Sequence, residues 1–285
     1  MSLVSKIFLL AGALLLTGCL TPTPPAPVVK HKPKIALALG GGAAKGFAHI
    51  GVIKVLEQNG IHVDIITGTS AGSVIGSLYA SGLNGYQLQQ LAINLDESSL
   101  TDYTLSSGGF VKGEALQNFI NKTVKNRPIE QLKIPFGAVA TNRATGDAVV
   151  FRQGNTGQAV RASASIPNVF QPVVIGKNSY VDGGLTQPVP VEAAKNMGAD
   201  IIIAVDISDR PKAGNTSGLL ATFDQSINIM SQVALNKQLK MATVVIHPDI
   251  SHLPSVSFDQ RNQAILEGEK AANAAMGKIR QVLAR

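Results

Sequence analysis

Residues 35–80 read IALALGGGAAKGFAHIGVIKVLEQNGIHVDIITGTSAGSVIGSLYA, and they contain two strand–turn–helix units in succession. The apolar run Ile35–Leu39 is typical of a strand that is buried on both faces, and it ends in three glycines. A helix is predicted over residues 45–59, followed by a strand over His62–Thr67 and a helix over Ala71–Ala80. Strands that alternate with helices in this way build a parallel sheet.

The same alternation continues to the end of the chain. Further strands are predicted at Phe136–Thr141, Ala148–Arg152, Val173–Ile175, Ile201–Ile207 and Thr243–His247. Further helices are predicted at residues 85–96, 113–124, 190–197, 219–240 and 258–283. No internal repeat or second linker divides these elements, so residues 35–285 are predicted to form one α/β domain. Its sheet is expected to be mostly parallel, with helices on both faces.

The composition excludes several classes of protein. With 45% hydrophobic and 15% charged residues, the 285-residue chain is too apolar to be disordered. A single cysteine excludes a disulfide framework and a cysteine-based zinc cluster. The net charge of +7 is concentrated in residues 1–34, which contain four lysines and no acid; elsewhere 21 basic residues face 18 acidic ones. With no tryptophan and 5% aromatic residues, the chain lacks the stacking surfaces of a single-strand binder, and no nucleic-acid partner is expected.

The start of the chain has the pattern of an exported protein. Residues 1–18 are predicted to be a lipoprotein signal peptide, because Lys6 precedes an apolar run, Ile7–Leu16, that is too short to span a bilayer. The run ends in LTGC, which resembles a bacterial lipobox. In such proteins the cysteine, here Cys19, carries acyl chains such as palmitate and becomes the first residue. The alternative is an ordinary signal peptide in which Cys19 occurs by chance.

Residues 19–34 are predicted to be a tether between the lipidated cysteine and the domain. Five prolines favour an extended chain, and Lys30, Lys32 and Lys34 would be attracted to anionic headgroups. Leu20 after the cysteine favours the outer membrane, facing the periplasm, if lipoprotein sorting by that residue applies. The sequence does not determine the oligomeric state.

Residues 68–72, GTSAG, form a G-x-S-x-G motif between a predicted strand and a predicted helix. A serine on such a sharp turn projects its hydroxyl from the top of the sheet, and Gly68 and Gly72 let the backbone turn without a Cβ clash. The start of the following helix adds N–H groups and the positive end of a dipole. Ser70 is therefore a candidate nucleophile; the alternative is a Gly/Ser turn that only caps the helix.

Residues 40–46, GGGAAKG, form a second strand-to-helix junction, whose successive N–H groups can hold a phosphate or a developing oxyanion. The alternative is a dinucleotide site with Asp64 on the ribose. Against it, the glycines align from Gly41 as G-x-A-x-x-G, and Asp64 lies within a predicted strand. A phosphate-binding P-loop is excluded, because no Gly-Lys-Ser/Thr follows at the required spacing.

A nucleophilic serine needs a base, and the histidines are poorly placed to supply one. His49 lies among apolar residues of a predicted helix, where a packed core residue is expected, and no histidine spacing indicates a metal site. Asp182, in YVDGG at residues 180–184, is the better candidate. An aspartate followed by two glycines is, however, also typical of a plain turn.

The three motifs in this order resemble the patatin-like phospholipase family, especially its bacterial members. The resemblance covers nearly the whole domain and includes KGFAHIGV at 45–52, GGFVKGEAL at 108–116, TNRATGDAVVF at 141–151, RASASIP at 161–167 and residues 182–206. Ala43 stands where many members have another glycine, which leaves a backbone N–H donor in place. Lys45 stands where many have arginine, which keeps the charge and loses the planar fork.

The resemblance implies a three-layer α/β/α fold and lipid acyl hydrolysis by a Ser–Asp dyad, with no histidine, metal or cofactor. Ser70 would attack the ester carbonyl and Asp182 would accept its proton. The N–H groups around Gly41, Gly42 and Ala43 would hold the oxyanion. The remaining motif glycines are Gly40, Gly46, Gly68, Gly72, Gly183 and Gly184. Because an ordinary aspartate has a pKa of about 3.9 and is a poor base, burial is expected to raise the pKa of Asp182.

The expected substrate is a membrane lipid, and phospholipid, lysophospholipid and simple ester all remain open. Two alternatives come from other classes: a lipoprotein that keeps this fold as a binding or scaffold module, and a nucleotide-dependent enzyme that uses the glycine-rich loop. The intact pair of Ser70 and Asp182 argues against the scaffold, because a binding module needs neither.

Overall fold

The computed structural model describes residues 32–100, 102–104, 111–208, 210, 219–254 and 257–284. The predicted signal peptide, Cys19 and all but the last three residues of the predicted tether lie outside these ranges. Residues Pro33–Arg285 form one compact unit.

Eight strands and eight α-helices make up the described part of the domain. The strands are β1 (Ile35–Leu39), β2 (Ile65–Thr69), β3 (Phe136–Asn142), β4 (Ala148–Phe151), β5 (Val173–Ile175), β6 (Asn178–Asp182), β7 (Ile201–Val205) and β8 (Val244–Ile246). The helices are α1 (Ala48–Gln58), α2 (Ala71–Ala80), α3 (Gly85–Ile93), α4 (Glu114–Thr123), α5 (Thr156–Ser163), α6 (Val191–Asn196), α7 (Leu219–Met241) and α8 (Arg261–Leu283). Among the described residues, none of these helices has the length and apolar character needed to cross a bilayer.

The sheet is mixed, which corrects the prediction of a mostly parallel one. Its strands run in the order β5-β6-β3-β2-β1-β7-β8, and β4 also pairs with β3. The pairs from β3 through β2, β1 and β7 to β8 are parallel, whereas β4 and β6 run antiparallel to β3 and β5 runs antiparallel to β6. Two of the antiparallel pairs, β3–β4 and β5–β6, are hairpins, and a short turn can join only antiparallel strands.

The two faces of β1 belong to different hydrophobic cores. Leu37 and Leu39 point into the larger core, which is shared with α1, α2 and α8. Ala36 and Ala38 point into the smaller core, which includes residues of α6 and Leu235 of α7. Side chains alternate along a strand, so a continuous apolar run buries both faces, as predicted. Helices therefore cover both sides of the sheet, and the three-layer α/β/α fold is confirmed.

Two elements near the proposed site were not predicted. Strand β6 is one of them: it begins directly after a two-residue turn at Gly176 and Lys177, with Gly176 at φ 62°. Helix α5 was not predicted at all; the Asn155 side chain caps it by accepting a hydrogen bond from the Gln158 N–H.

Candidate active site

Strand pairing brings the ends of β2 and β6 together. On one edge of β3, Val139 pairs with Thr69, the last residue of β2. The next residue, Ala140, pairs with Asp182, the last residue of β6. Strand β4 occupies the opposite edge of β3 at the same positions. Because β6 runs antiparallel to β2, the two carboxyl ends face each other, and Ser70 follows directly after one of them.

Ser70 lies on a strained turn between β2 and α2. Its backbone has φ 52° and ψ −122°, a region that non-glycine residues rarely adopt. Such a conformation costs about 1–3 kcal/mol and persists only where the surroundings enforce it. Ser70 is also buried, with 6% of its surface exposed. This is the geometry of a sharp strand-to-helix turn that presents a serine, as the motif predicted.

The glycines of the G-x-S-x-G motif are required by close packing. A Cβ on Gly72 would collide with the backbone carbonyl of Leu39 at the end of β1, and one on Gly68 would collide with the carbonyl of Gly72. Gly46 plays the same part on the other side of the turn, since its Cβ would lie 2.7 Å from the Cβ of Ala71. These glycines let the serine turn sit directly against β1 and the glycine-rich loop.

Asp182 is a buried carboxyl group with one free oxygen. Its Oδ1 accepts a hydrogen bond of 2.6 Å from the N–H of Gly184, whereas its buried Oδ2 has no hydrogen-bond partner among the described residues. Burial raises the pKa of Asp182 to about 6, against the smaller lowering effects of the Gly184 N–H and the Ser70 hydroxyl. The predicted burial and raised pKa are thus confirmed. The Ser70 hydroxyl is near enough to influence this pKa, but it does not reach Oδ2 with normal hydrogen-bond geometry.

Two of the three predicted oxyanion donors in the glycine-rich loop are available to a substrate. The N–H of Gly41 already donates to the carbonyl of Pro188 at 2.9 Å, so this predicted donor is occupied. The N–H groups of Gly42 and Ala43 donate to no group within the described ranges. Ala43 has φ 50°, a left-handed conformation that explains why a glycine would suit this position.

Close packing fixes this loop beside Ser70. A Cβ on Gly41 would lie 3.2 Å from the Cβ of Ser70, and one on Gly42 would lie 2.8 Å from the carbonyl of Ile207. Gly40 is held to the sheet by its N–H, which donates to Val205 at 3.0 Å. The loop therefore lines one side of the serine turn.

His49 supports this loop and is not a base. It is buried in α1, as expected for a core residue, and burial lowers its pKa to about 4, so it is neutral at pH 7. Its Nε2 lies 2.8 Å from the carbonyl oxygen of Gly40. A neutral ring can donate its Nε2–H to that oxygen, a role that no local pattern in the sequence indicates.

Two serines of the RASASIP segment at residues 161–167 contact the backbones of the two candidate residues. The hydroxyl of Ser163 accepts the N–H of Ser70 at 3.0 Å and donates to the carbonyl of Val139 at 2.5 Å. The carbonyl of Ser165 accepts the N–H of Asp182 at 2.9 Å. The last turn of α5 and the residues after it thus hold the backbones of Ser70 and Asp182 in place.

The structure places Asp64 away from the glycine-rich loop. It precedes β2, at the amino end of the strand, where its carboxylate accepts the N–H of Ile35 at 2.8 Å. The loop follows the carboxyl end of β1, which is parallel to β2. Asp64 and the loop therefore lie at opposite ends of these strands. A ribose ligand at Asp64 is therefore incompatible with a nucleotide phosphate on the loop.

No metal site is visible in the described part of the chain, where no three histidine, cysteine, aspartate or glutamate side chains group closely enough to hold an ion. Directly after β7, Asp206 belongs to an ion-pair cluster. Asp206 lies 2.6 Å from Arg210 and 3.4 Å from His247. Burial opposes the ionised form of Asp206, but hydrogen bonds from His247 and Arg210 lower its pKa to about 2.

Comparison with known proteins gives one consistent family. The family model for patatin-like phospholipases matches residues 37–195. An uncharacterized NTE family protein of Mycobacterium tuberculosis is 36% identical over 179 residues, which is 62% of this chain and 49% of that protein. The human patatin-like phospholipase domain-containing protein 6 is 32% identical over 202 residues, covering 68% of this chain and 14% of that protein. The chain thus spans about half the length of its mycobacterial relative.

Solved structures show the same fold at low sequence identity. VipD from Legionella pneumophila superimposes with a TM-score of 0.60 at 15% identity, covering 86% of this chain and 66% of that one. The type III effector protein ExoU superimposes with a TM-score of 0.50 at 17% identity, covering 90% of this chain and 54% of that one.

Proposed function

Because this chain belongs to the patatin-like phospholipase family, we propose that it is a lipid acyl hydrolase that uses Ser70 as nucleophile and Asp182 as base. One observation carries the proposal. The serine lies on a strained turn at the end of β2, opposite a buried carboxyl group that has a raised pKa and a free oxygen. A turn that only caps a helix needs neither a strained backbone nor a buried carboxyl group beside it.

In the first step the Ser70 oxygen attacks the ester carbonyl carbon, and the Ser70 proton passes to Oδ2 of Asp182. The carbonyl oxygen becomes an oxyanion, for which the N–H groups of Gly42 and Ala43 are the available donors. The tetrahedral intermediate then breaks its bond to the alcohol, which leaves with the proton from Asp182. The product on the enzyme is an acyl ester of Ser70.

In the second step water attacks the acyl–Ser70 carbonyl while Asp182 accepts a proton from the water. Collapse of this intermediate releases the fatty acid and returns a proton to the Ser70 oxygen. Asp182 is therefore base and acid in turn. A pKa of about 6 suits it for both parts, because it is ionised at neutral pH and binds a proton about 3 kcal/mol more readily than an ordinary aspartate.

We further propose that the chain is anchored as a lipoprotein through Cys19 and faces the periplasm at the outer membrane. The proposal is supported by the signal-peptide pattern of residues 1–18, the LTGC motif and the proline-rich tether. Metabolic labelling with a palmitate analogue would test it. Label should enter the parent protein and not the Cys19→Ser variant.

The hydrolase proposal is tested by fatty-acid release from phospholipids and from short p-nitrophenyl esters. Ser70→Ala and Asp182→Asn should each remove activity on every substrate that the parent hydrolyses. Ser81→Ala is the matched control, because Ser81 is also a buried serine, and its hydroxyl donates to the carbonyl of Leu78 in α2. Activity that survives Ser70→Ala would refute the mechanism, and a parent inactive on all esters would favour a binding or scaffold role.

A further inference from the structure

Helix α7 exposes a row of large apolar side chains. Ile229, Met230 and Val233 have 55%, 72% and 80% of their surfaces exposed. At 3.6 residues per turn these positions fall within about 100° of arc on one side of the helix. The other side holds the helix on the domain: Leu235 is buried in the smaller core, and Gln238 accepts the N–H of Glu192 at 2.8 Å.

Basic residues continue the same side of the helix. Lys237 and Lys240 are exposed and lie on that arc, one and two turns beyond Val233. No acidic residue occurs between positions 229 and 241. Lys237 lies 3.4 Å from the exposed Glu192, and a contact of this kind contributes little. Ile229, Met230, Val233, Lys237 and Lys240 together are the α7 face.

The α7 face belongs to an element that borders the proposed active site. Helix α7 packs against the short 3-10 helix Gly183–Leu185, which begins directly after Asp182. It also packs against α6. The α7 face is therefore carried by a helix that contacts the residues directly after Asp182.

We propose that the α7 face docks on an anionic lipid bilayer, with its apolar side chains in the interface and its lysines at the headgroups. This inference rests on the proposed function, which requires a lipid substrate to reach Ser70. Apolar side chains on one side of a helix, joined by lysines and no acids, are the features of a helix that lies in a membrane interface. A protein partner of the same face would not require the two lysines.

The chain contains no tryptophan, so a single introduced tryptophan reports its own surroundings in the full-length protein. Met230→Trp and Val233→Trp place the probe on the α7 face. Leu266→Trp is the matched control. Leu266 is another exposed apolar residue, with 43% of its surface accessible, but it lies on α8, which packs in the opposite layer of the fold. Vesicles of phosphatidylcholine and phosphatidylglycerol containing brominated lipid are added, and emission is recorded.

The emission of Met230→Trp and Val233→Trp should shift to the blue and be quenched by the brominated lipid, and that of Leu266→Trp should not change. No quenching at the first two positions, or equal quenching at all three, would overturn the proposal. A blue shift that grows with protein concentration without vesicles would show instead that the α7 face joins two copies of the chain. These outcomes do not depend on catalysis, so they are separable from failure of the proposed function.

Activity supplies a second test. The double variant Met230→Gln/Val233→Gln should lower hydrolysis of vesicle lipid about tenfold and leave hydrolysis of a soluble short ester unchanged. Lys237→Gln/Lys240→Gln should remove about a tenfold preference for anionic over neutral vesicles. Leu266→Gln should change neither rate. A double variant that hydrolyses vesicle lipid at the parent rate would contradict the docking role of the α7 face.

Discussion

Replacing Asp182 by asparagine is expected to remove activity and to make the protein more stable at neutral pH. The pKa of Asp182 is about 6 in the folded chain and 3.8 without the fold. Above pH 6 the carboxylate is therefore ionised in both states but buried only in the native one. The difference of about two pKa units corresponds to about 3 kcal/mol of lost stability at pH 7.5. Asparagine has no charge to bury, and its side-chain oxygen can still accept the Gly184 N–H.

The sign of the effect follows from linkage. Because the folded pKa is raised, the native state binds the proton more tightly, and the penalty grows as pH rises from 3.8 to 6. The stabilisation by Asp182→Asn should therefore be about 3 kcal/mol at pH 7.5 and about 1 kcal/mol at pH 4.5. Urea unfolding of both proteins at the two pH values measures it. Asp147→Asn, at an exposed carboxylate, is the control and should change stability by less than about 0.5 kcal/mol.

An Asp182→Asn protein that is less stable than the parent at pH 7.5, or a difference that does not depend on pH, would refute the reasoning. Either result would mean that the carboxylate is solvated or paired in the native state. The base proposed for Ser70 would then lack the raised pKa on which the mechanism depends.

Three further outcomes are expected. The kcat/KM for a soluble ester should fall about tenfold per pH unit below pH 6, where Asp182 becomes protonated; a profile that stays flat from pH 4 to 8 would contradict a base with this pKa. Ser163→Ala should lower kcat about 10- to 100-fold and leave KM unchanged, because it leaves the Ser70 N–H without its acceptor, and steady-state kinetics measure this split. Ala43→Gly should preserve activity and raise the unfolding free energy by about 1 kcal/mol or less, because the exposed alanine has a left-handed φ of 50°; a loss of stability on urea unfolding would show that its side chain makes a needed contact.

The sequence predicted the parts of the fold that depend on local pattern. Strand β1 was predicted with its observed bounds, Ile35–Leu39, because a short apolar run between a tether and three glycines is compatible with few structures other than a strand. Strand β2 was predicted three residues early, at His62. Asp64 belongs to the turn before it, since its carboxylate accepts the Ile35 N–H. That contact joins residues 29 positions apart, which a local pattern does not contain.

Helix α5 shows a second limit of prediction. Its sequence, TGQAVRAS, has small and polar residues and a weak apolar face, yet most of it is buried. Gly157 explains why: its N–H donates to the side chain of Asn121 at 2.8 Å, and a Cβ there would collide with the backbone of α4. The helix packs closely on α4 through small residues, and Val160 is its only large apolar side chain, which is too little on which to predict a helix.

The site needs the antiparallel strand that the sequence did not reveal. If β6 ran parallel to β2 along β3, its last residue would lie at the end of the strand away from Ser70. Because β6 is antiparallel, it ends at Ala140, one residue beyond the end of β2, and delivers Asp182 to Ser70 from the opposite direction. The same meeting of strand ends removes the carboxyl group from water and raises its pKa. A buried aspartate with a raised pKa is suited to accept a proton directly from serine. The proposed mechanism therefore needs no imidazole base, and the neighbouring histidine, His49, is neutral and bonded to a loop carbonyl.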